Sequence, residues 1–507
     1  MACPEHRDLN AKLWLAAIML FMAGLITVIN YSGGCSVQKR ETKEAVLGFP
    51  SEDPPPLSNP SGDFIPLDWT EQMMVDHALG LPAEADRLAA FYFDACNLAN
   101  QGADMDMVEQ GINKGINLLS KSANLVRVTK LKDESKYPGV ACVFAADQLD
   151  YRISNREYRE VIEKNLQLQF ETQTVRGQQL KALTQKKKPY VFAEDFFLTL
   201  FEADAIASKK CAVYCDITDQ PLGIAEFFNV LGVNVQKEFD DSRAVLAAFN
   251  TSQIAFKKDR LVQVIETADG WCMSTEDSSL ANQESFQNTP FPKEAAIIKG
   301  VQLSNRIFVP QAQEHICTKK NKLQGIFRLN GGDFNAADAA PNDVVGQPDF
   351  AQVDPTIRLG DCSNCHHGSP GNPFTDQAGS FIAANTNFSP DEKNLGKVFF
   401  KASKMQKALQ AINDMERESY AKLGITATVD PLNTALIRVL RSAQSAEQVA
   451  GYASMPVPEF LEALRAAPLS SQNLGNLLNG GTVSVGTLKD AFPTLVLELR
   501  LYDDPEL

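Results

Sequence analysis

Histidine is scarce in this sequence: 507 residues contain five, His6, His77, His315, His366 and His367. A Ser/His/Asp hydrolase triad therefore has little to draw on, and no pair of the many Asp and Glu residues is singled out by spacing as a glycosidase pair. Basic residues are also in the minority, with 48 Lys and Arg against 63 Asp and Glu, a formal net charge of −15. This argues against nucleic-acid binding, because contacts to phosphate need clustered cations. The one basic run, Lys186-Lys187-Lys188, reads as a solvated helix end or loop. There is no internal repeat and no Gly-rich phosphate loop of the usual spacing. A single Cys-x-x-Cys occurs, so four-thiolate zinc sites and two-haem peroxidases both lack their second motif.

Long apolar runs are absent except at the N-terminus. From Leu13 to Ile29 every residue is apolar, small or Thr27, and no charge falls between Lys12 and Lys39. Such a run, behind Arg7 and Lys12, predicts a secretory signal or a single membrane anchor at 1–35. It ends in Ser32-Gly33-Gly34-Cys35, which resembles a lipoprotein processing site with Cys35 as the lipidated residue. Ser32 stands where such sites carry an aliphatic residue, so a retained anchor is the alternative. Residues 36–66 are polar and Pro-rich (Pro50, Pro54, Pro55, Pro56, Pro60) and read as a tether. The expectation is an extracytoplasmic, periplasmic protein held at the membrane by lipid or helix.

The cysteines suit an oxidising compartment. Setting aside Cys3, Cys35, Cys362 and Cys365, six remain: Cys96, Cys142, Cys211, Cys215, Cys272 and Cys317. Six permit three disulfides, and Cys211–Cys215 and Cys272–Cys317 are the pairs suggested here.

The remaining pattern is α+β and predominantly α-helical. Helix is expected from about Asp68, through Leu88, Phe91 and Phe93, and again over Val108, Ile112, Ile116 and Leu119. Pro138-Gly139 ends it, and Val140 to Phe144 reads as a strand. Further helix is expected over 190–208 and Ile224–Leu231. Leu261–Ile265 and Trp271–Met273 read as a hairpin about Asp269-Gly270, and Ile326–Leu329 as a strand before Asn330-Gly331-Gly332. Val398, Met405, Leu409 and Ile412 mark a long helix, with later ones at 430–448, 457–466 and 487–501. This divides the chain into a large N-terminal helical domain with short strands at 67–310 and a C-terminal helical domain of cytochrome c type at 311–507.

The second assignment rests on Cys362-Ser363-Asn364-Cys365-His366. Two thiols three positions apart can add to the two vinyl groups of one haem, and the adjacent imidazole can reach its iron. The motif predicts one covalent haem c on Cys362 and Cys365, with His366 as proximal iron ligand. Zinc would need a second ligand pair, and a redox dithiol a thioredoxin-like context. For the distal position Met455, in Ser454-Met455-Pro456, resembles the Met-Pro step of small c-type cytochromes. His77 and His315 are secondary candidates, Met405 and Met415 suit a helix core, and His367 is expected to point away from the iron.

The order of segments resembles a family of large bacterial single-haem cytochrome c domain proteins, many of them lipoproteins. The resemblance is carried by Leu88-Ala89-Ala90-Phe91-Tyr92, Gln110 to Leu119, Val143 to Tyr151, Ala193-Glu194-Asp195-Phe196-Phe197, Phe249-Asn250-Thr251-Ser252, Ile326 to Gly332, the haem motif and Gly480-Gly481-Thr482-Val483. Asp333 to Asp343 departs from it. The resemblance implies an electron carrier in the cell envelope with a redox partner protein. The alternatives are a peroxidase-like haem enzyme, or a haem-based sensor or assembly lipoprotein.

Overall fold

Apolar spacing of three to four residues over 105–119, and of two over 260–277, produces the two kinds of layer found in this fold. In the computed structural model of the chain, the residues described are 65, 67–119, 124–146, 175–186, 188–201, 221, 223–249, 259–277, 286–293, 296–310, 312–319, 322–329, 335–337, 367–368, 374–452, 456–466, 474–485, 487–488 and 491. All of them fall in one compact unit, Asn59–Leu507. The apolar run Leu13–Ile29, Cys35 and the tether lie outside the described residues. Among the described residues, no helix is long and apolar enough to cross a membrane.

Helix α1 (Leu67–Gly80) buries Met73, Met74, Val75 and Ala78. Strand β1 (Tyr92–Asp94) follows where the sequence pattern predicts helix through Phe93, and this expectation is corrected. Phe91, Tyr92 and Phe93 are all buried. Three successive buried aromatics suit a strand covered on both faces, not the single apolar stripe of a surface helix. Helix α2 (Met105–Leu119) carries Val108, Ile112 and Ile116 as a buried row, as expected. It starts at Asp104, whose Oδ1 accepts from the Asp106 N–H at 2.9 Å. Strands β2 (Thr129–Lys130), β3 (Val143–Ala145) and β4 (Tyr190–Phe192) complete a four-stranded sheet in the order β2-β3-β1-β4. Strand β1 is antiparallel to β3 and parallel to β4. Helix α3 (Ala193–Phe201) continues directly from β4. A disulfide joins Cys96 to Cys142.

Lys186, expected to be solvated, is buried. Its ammonium donates to the carbonyls of Leu88 and Ala90 near the end of the helix Glu84–Ala89. Those carbonyls have no intrahelical partner, so a cation there serves them better than water.

The larger sheet has six strands: β5 (Val245–Phe249), β6 (Arg260–Thr267), β7 (Gly270–Asp277), β8 (Ala312–Lys319), β9 (Lys322–Leu329) and β10 (Asn335–Ala337). Its order is β10-β9-β8-β7-β6-β5, with every neighbour antiparallel. The hairpin about Asp269-Gly270 is present, and Gly270 has φ 129°. A Cβ there would stand 2.5 Å from Thr318 Oγ1 and 3.2 Å from Met415 Cε, so the turn needs glycine.

Alternation along the strands divides the two faces. Val245, Ala247, Val262, Val264, Met273 and Ile316 pack on Met405, Ala408, Leu409 and Ile412 of helix α4 (Ala402–Leu423). The other face sends Leu246, Ile265, Cys272 and Cys317 into the main core. Cys272 and Cys317 are direct partners in the β7–β8 ladder and form the disulfide suggested by the sequence. That ladder joins residues on both sides of position 310. Cys211 and Cys215 lie outside the described residues.

Helix α4 ends at Gly424, whose φ of 70° provides the left-handed C-terminal stop. Helix α5 (Pro431–Arg441) begins with Pro431 behind the cap residue Asp430. The predicted helix 430–448 is interrupted by a two-residue strand, Ala443–Gln444, before α6 (Ala446–Tyr452). The architecture is α+β.

Candidate functional site

Cys362, Cys365 and His366 lie outside the described residues, as does Met455. The chain is described again at His367, and the site is built outward from that side chain.

Helix α2 forms its floor. Gln110 Oε1 accepts from the backbone N–H groups of Thr426 and Ala427, at 2.9 and 3.0 Å. One turn on, Asn113 donates to the Leu423 carbonyl at 3.3 Å and accepts from the Val128 N–H at 2.8 Å. These bonds hold the α4–α5 connection against α2. Asp430 Oδ1 accepts from the Leu432 N–H at 3.0 Å, capping α5, and lies 3.2 Å from Lys114 Nζ. Both members of that ion pair are buried, with side-chain exposures of 5% and 0%. Asp430 Oδ2 has no hydrogen-bond partner among the described residues.

Lys114 Nζ also lies 3.2 Å from His367 Nδ1 and 5.1 Å from the centre of the Tyr420 ring. The Tyr420 and His367 rings stack, with centroids 5.1 Å apart and planes at 25°. Tyr420 donates its hydroxyl to Glu416 Oε1 at 2.6 Å. Burial, then the charge of Glu416, pushes the Tyr420 pKa well above its ordinary range. Burial pushes that of Lys114 down, with Asp430 and then Glu416 pulling the other way.

The chemistry of these partners sets the state of His367. An ammonium can only donate, so Nδ1 accepts from Lys114, and Nε2–H donates to the Ala427 carbonyl at 3.1 Å. Both ring nitrogens are occupied and the imidazole is neutral. Burial, and after it the positive charge of Lys114, lowers its pKa. His367 thus serves as an anchor between α2, α4 and the segment ahead of α5, with no nitrogen left for a metal in this arrangement. No motif or spacing in the sequence marks Lys114 or Asp430 as partners. The available clue was the polar trio Asn113, Lys114 and Asn117 beside the apolar row of α2.

The other sequence-derived candidates are placed elsewhere. His315 is buried on β8, with Nδ1 2.7 Å from Ser274 Oγ and its ring between Phe227 and Phe228. His77 Nδ1 lies 3.1 Å from the Tyr92 hydroxyl. Met405 is in the apolar layer beneath the large sheet.

A second buried polar group lies under the small sheet. Asp94 accepts from the Cys96 N–H at 2.9 Å and from Thr70 Oγ1 at 2.8 Å. Burial nevertheless lifts its pKa to about 6. Glu194, at the start of α3, accepts from the Tyr452 hydroxyl at 3.3 Å. Burial first, then the proximity of Asp94, lifts its pKa to about 8. Glu194 therefore holds its proton at neutral pH, whereas Asp94 holds its own only below about pH 6. Among the described residues, no group of three or more His, Cys, Asp or Glu could hold a metal ion. No protein family, no curated protein and no solved structure matches this chain.

Proposed function

We propose that the chain is an exported c-type cytochrome that carries one covalent haem on Cys362 and Cys365, with His366 as proximal iron ligand, and transfers electrons in the bacterial cell envelope. The observation that carries this reading is the motif Cys362-Ser363-Asn364-Cys365-His366. Its donor chemistry fits the group: two thiols at thioether spacing and one imidazole beside them. The neighbouring His367 does not compete, because both of its nitrogens are taken by Lys114 and Ala427. The haem, when bound, supplies a one-electron Fe(II)/Fe(III) couple. The protein's part is to hold the ligand, set access and tune the potential.

The disulfides Cys96–Cys142 and Cys272–Cys317 support an oxidising compartment. Anchoring through the N-terminal run or a lipid on Cys35, a distal Met455 and a redox partner protein in the envelope belong to the same proposal. The cytochrome c type of the 311–507 segment does too.

The test is a pyridine haemochrome assay with oxidised and reduced absorption spectra, on protein made in a host with cytochrome c maturation. Haem that resists acid–acetone extraction at one per chain, and disappears in a Cys362→Ala/Cys365→Ala variant, is the expected result. No covalent haem would overturn the reading. Five-coordinate high-spin iron would redirect it toward catalysis or sensing.

A further inference from the structure

We infer that His367 is a positioning residue for the haem segment, an imidazole seated on the buried Lys114–Asp430 pair whose fixed place limits where the backbone of the adjoining proximal ligand can go. The inference rests on the haem reading above and adds what fixes the segment in place. Three observations carry it.

First, His367 directly follows His366, and covalent geometry keeps neighbouring Cα atoms 3.8 Å apart. Whatever fixes residue 367 therefore limits where the ligand's backbone can go. Second, both ring nitrogens and one ring face of His367 are held. Nδ1 is bonded to Lys114, Nε2 to the Ala427 carbonyl, and the ring lies on Tyr420. Two directional bonds and a stacked face leave the imidazole one orientation, whereas an apolar anchor would leave several.

Third, the support is charged although it is buried. Lys114 and Asp430 are 5% and 0% exposed at the side chain. A buried ion pair is a poor route to stability, since well-packed apolar residues often serve as well or better. Its best-attested use is to specify one arrangement, and the arrangement specified here is that of His367 and the α5 cap. Asp430 joins the two, because the same Oδ1 takes the Lys114 ammonium and the Leu432 N–H.

The experiment uses the full-length holoprotein from a maturation-competent host. Three variants are compared with wild type: His367→Phe, which keeps the stacked face and loses both hydrogen bonds; His367→Gln, whose amide can accept from Lys114 and donate to Ala427; and Lys114→Met. The readouts are haem per chain, the electron paramagnetic resonance of the ferric iron, and the midpoint potential. Nitrogen chemical shifts of the His367 ring in wild type report its tautomer.

The expected result is an Nε2–H tautomer for His367 and unchanged haem stoichiometry in His367→Phe and Lys114→Met. Both of those variants should show a broadened or split ferric signal and a shifted midpoint potential. His367→Gln should restore the wild-type signal. Wild-type spectra and potential in both His367→Phe and Lys114→Met would overturn the inference. So would loss of an iron ligand in His367→Gln, which would make His367 itself the ligand. If His367→Phe does not fold, Lys114→Met decides alone. Wild type without covalent haem is a separate failure, of the haem reading itself.

Discussion

Raising the pH from about 4.5 to 8 should weaken the fold, and Glu194→Gln should remove most of that weakening. Glu194 is fully buried at the start of α3, and its Oε1 accepts from the Tyr452 hydroxyl. Its other oxygen, Oε2, has no hydrogen-bond partner among the described residues. Burial, with Asp94 and Asp195 nearby, lifts its pKa from an ordinary 4.5 to about 8.

Below pH 4.5 the carboxyl is protonated in folded and unfolded chains alike, and it imposes no penalty. Between 4.5 and 8 only the unfolded chain has released the proton, so stability falls as pH rises. Above 8 both states are ionised and the loss is complete. The slope is about 1.4 kcal/mol per pH unit at most, and the total is of order 5 kcal/mol. Asp94 adds a smaller loss of the same sign, finished by about pH 6. Partly exposed carboxylates with lowered pKa values, such as Asp76, act with the opposite sign but only below about pH 4. Urea unfolding at intervals between pH 5 and 8.5, for wild type and Glu194→Gln, isolates the effect. Parallel stability curves for the two proteins would refute the reasoning.

Other perturbations test the packing around the site. Gly111 lies where α2 meets α5, and a Cβ there would stand 3.0 Å from the Pro431 carbonyl and 3.3 Å from both Ala435 Cβ and Phe197 Cζ. Gly111→Ala should therefore destabilise by about 1–3 kcal/mol in chemical unfolding, despite alanine's better helix propensity; a gain in stability would show that the helices are not so close. Replacing Cys96 and Cys142 together by Ala opens a cross-link spanning 46 positions. The chain-entropy argument gives a loss of about 4 kcal/mol; an unchanged urea midpoint would count against the bridge.

How much of this was legible in the sequence depends on the period of each segment. Val108, Ile112 and Ile116 follow the helical repeat on one face, so α2 could be read directly. Alternation about Asp269-Gly270 did the same for the β6–β7 hairpin, whereas the Cys272–Cys317 pairing rested on the even number of cysteines and finds its geometric reason only in the β7–β8 ladder. Segments buried on both faces carry no period. The pattern of Phe91 to Phe93 fits strand and helix alike, and burial on both faces makes it a strand. Lys186 misleads for a different reason, and Lys114 shares it. A lysine in a sequence implies solvent, and only tertiary structure reveals carbonyls or a carboxylate waiting for it. The seat of His367 was invisible for that reason: its partners come from α2 and the α4–α5 connection, 253 positions before it and 60 after. The spacing of the haem motif, by contrast, is a local covalent requirement and needs no tertiary contact to be read.

The same contacts bear on whether residues 311–507 could fold without the rest. Strand β8 would lose its neighbour β7, leaving the row Ala312 to Cys317 as an unpaired edge on that side. Such an edge favours association. The apolar layer beneath the sheet would keep Ile316, Met405, Ala408, Leu409 and Ile412 but lose Val245, Ala247, Val262, Val264 and Met273. Asp430 would lose Lys114, a buried charge left without its partner at a cost of about 3–5 kcal/mol. Leu432, Ala435 and Val439, all buried, lie on the helix that packs against α2, and α2 would be absent. A chain of residues 311–507 should therefore show no cooperative unfolding transition and little dispersion in its amide NMR spectrum. A soluble fragment that melts cooperatively would refute this, and would mean that the N-terminal portion is an attachment to an autonomous unit. If the fragment fails, the size of the N-terminal portion has a structural explanation: α2 and β5–β7 form part of the frame on which the segment following His366 rests.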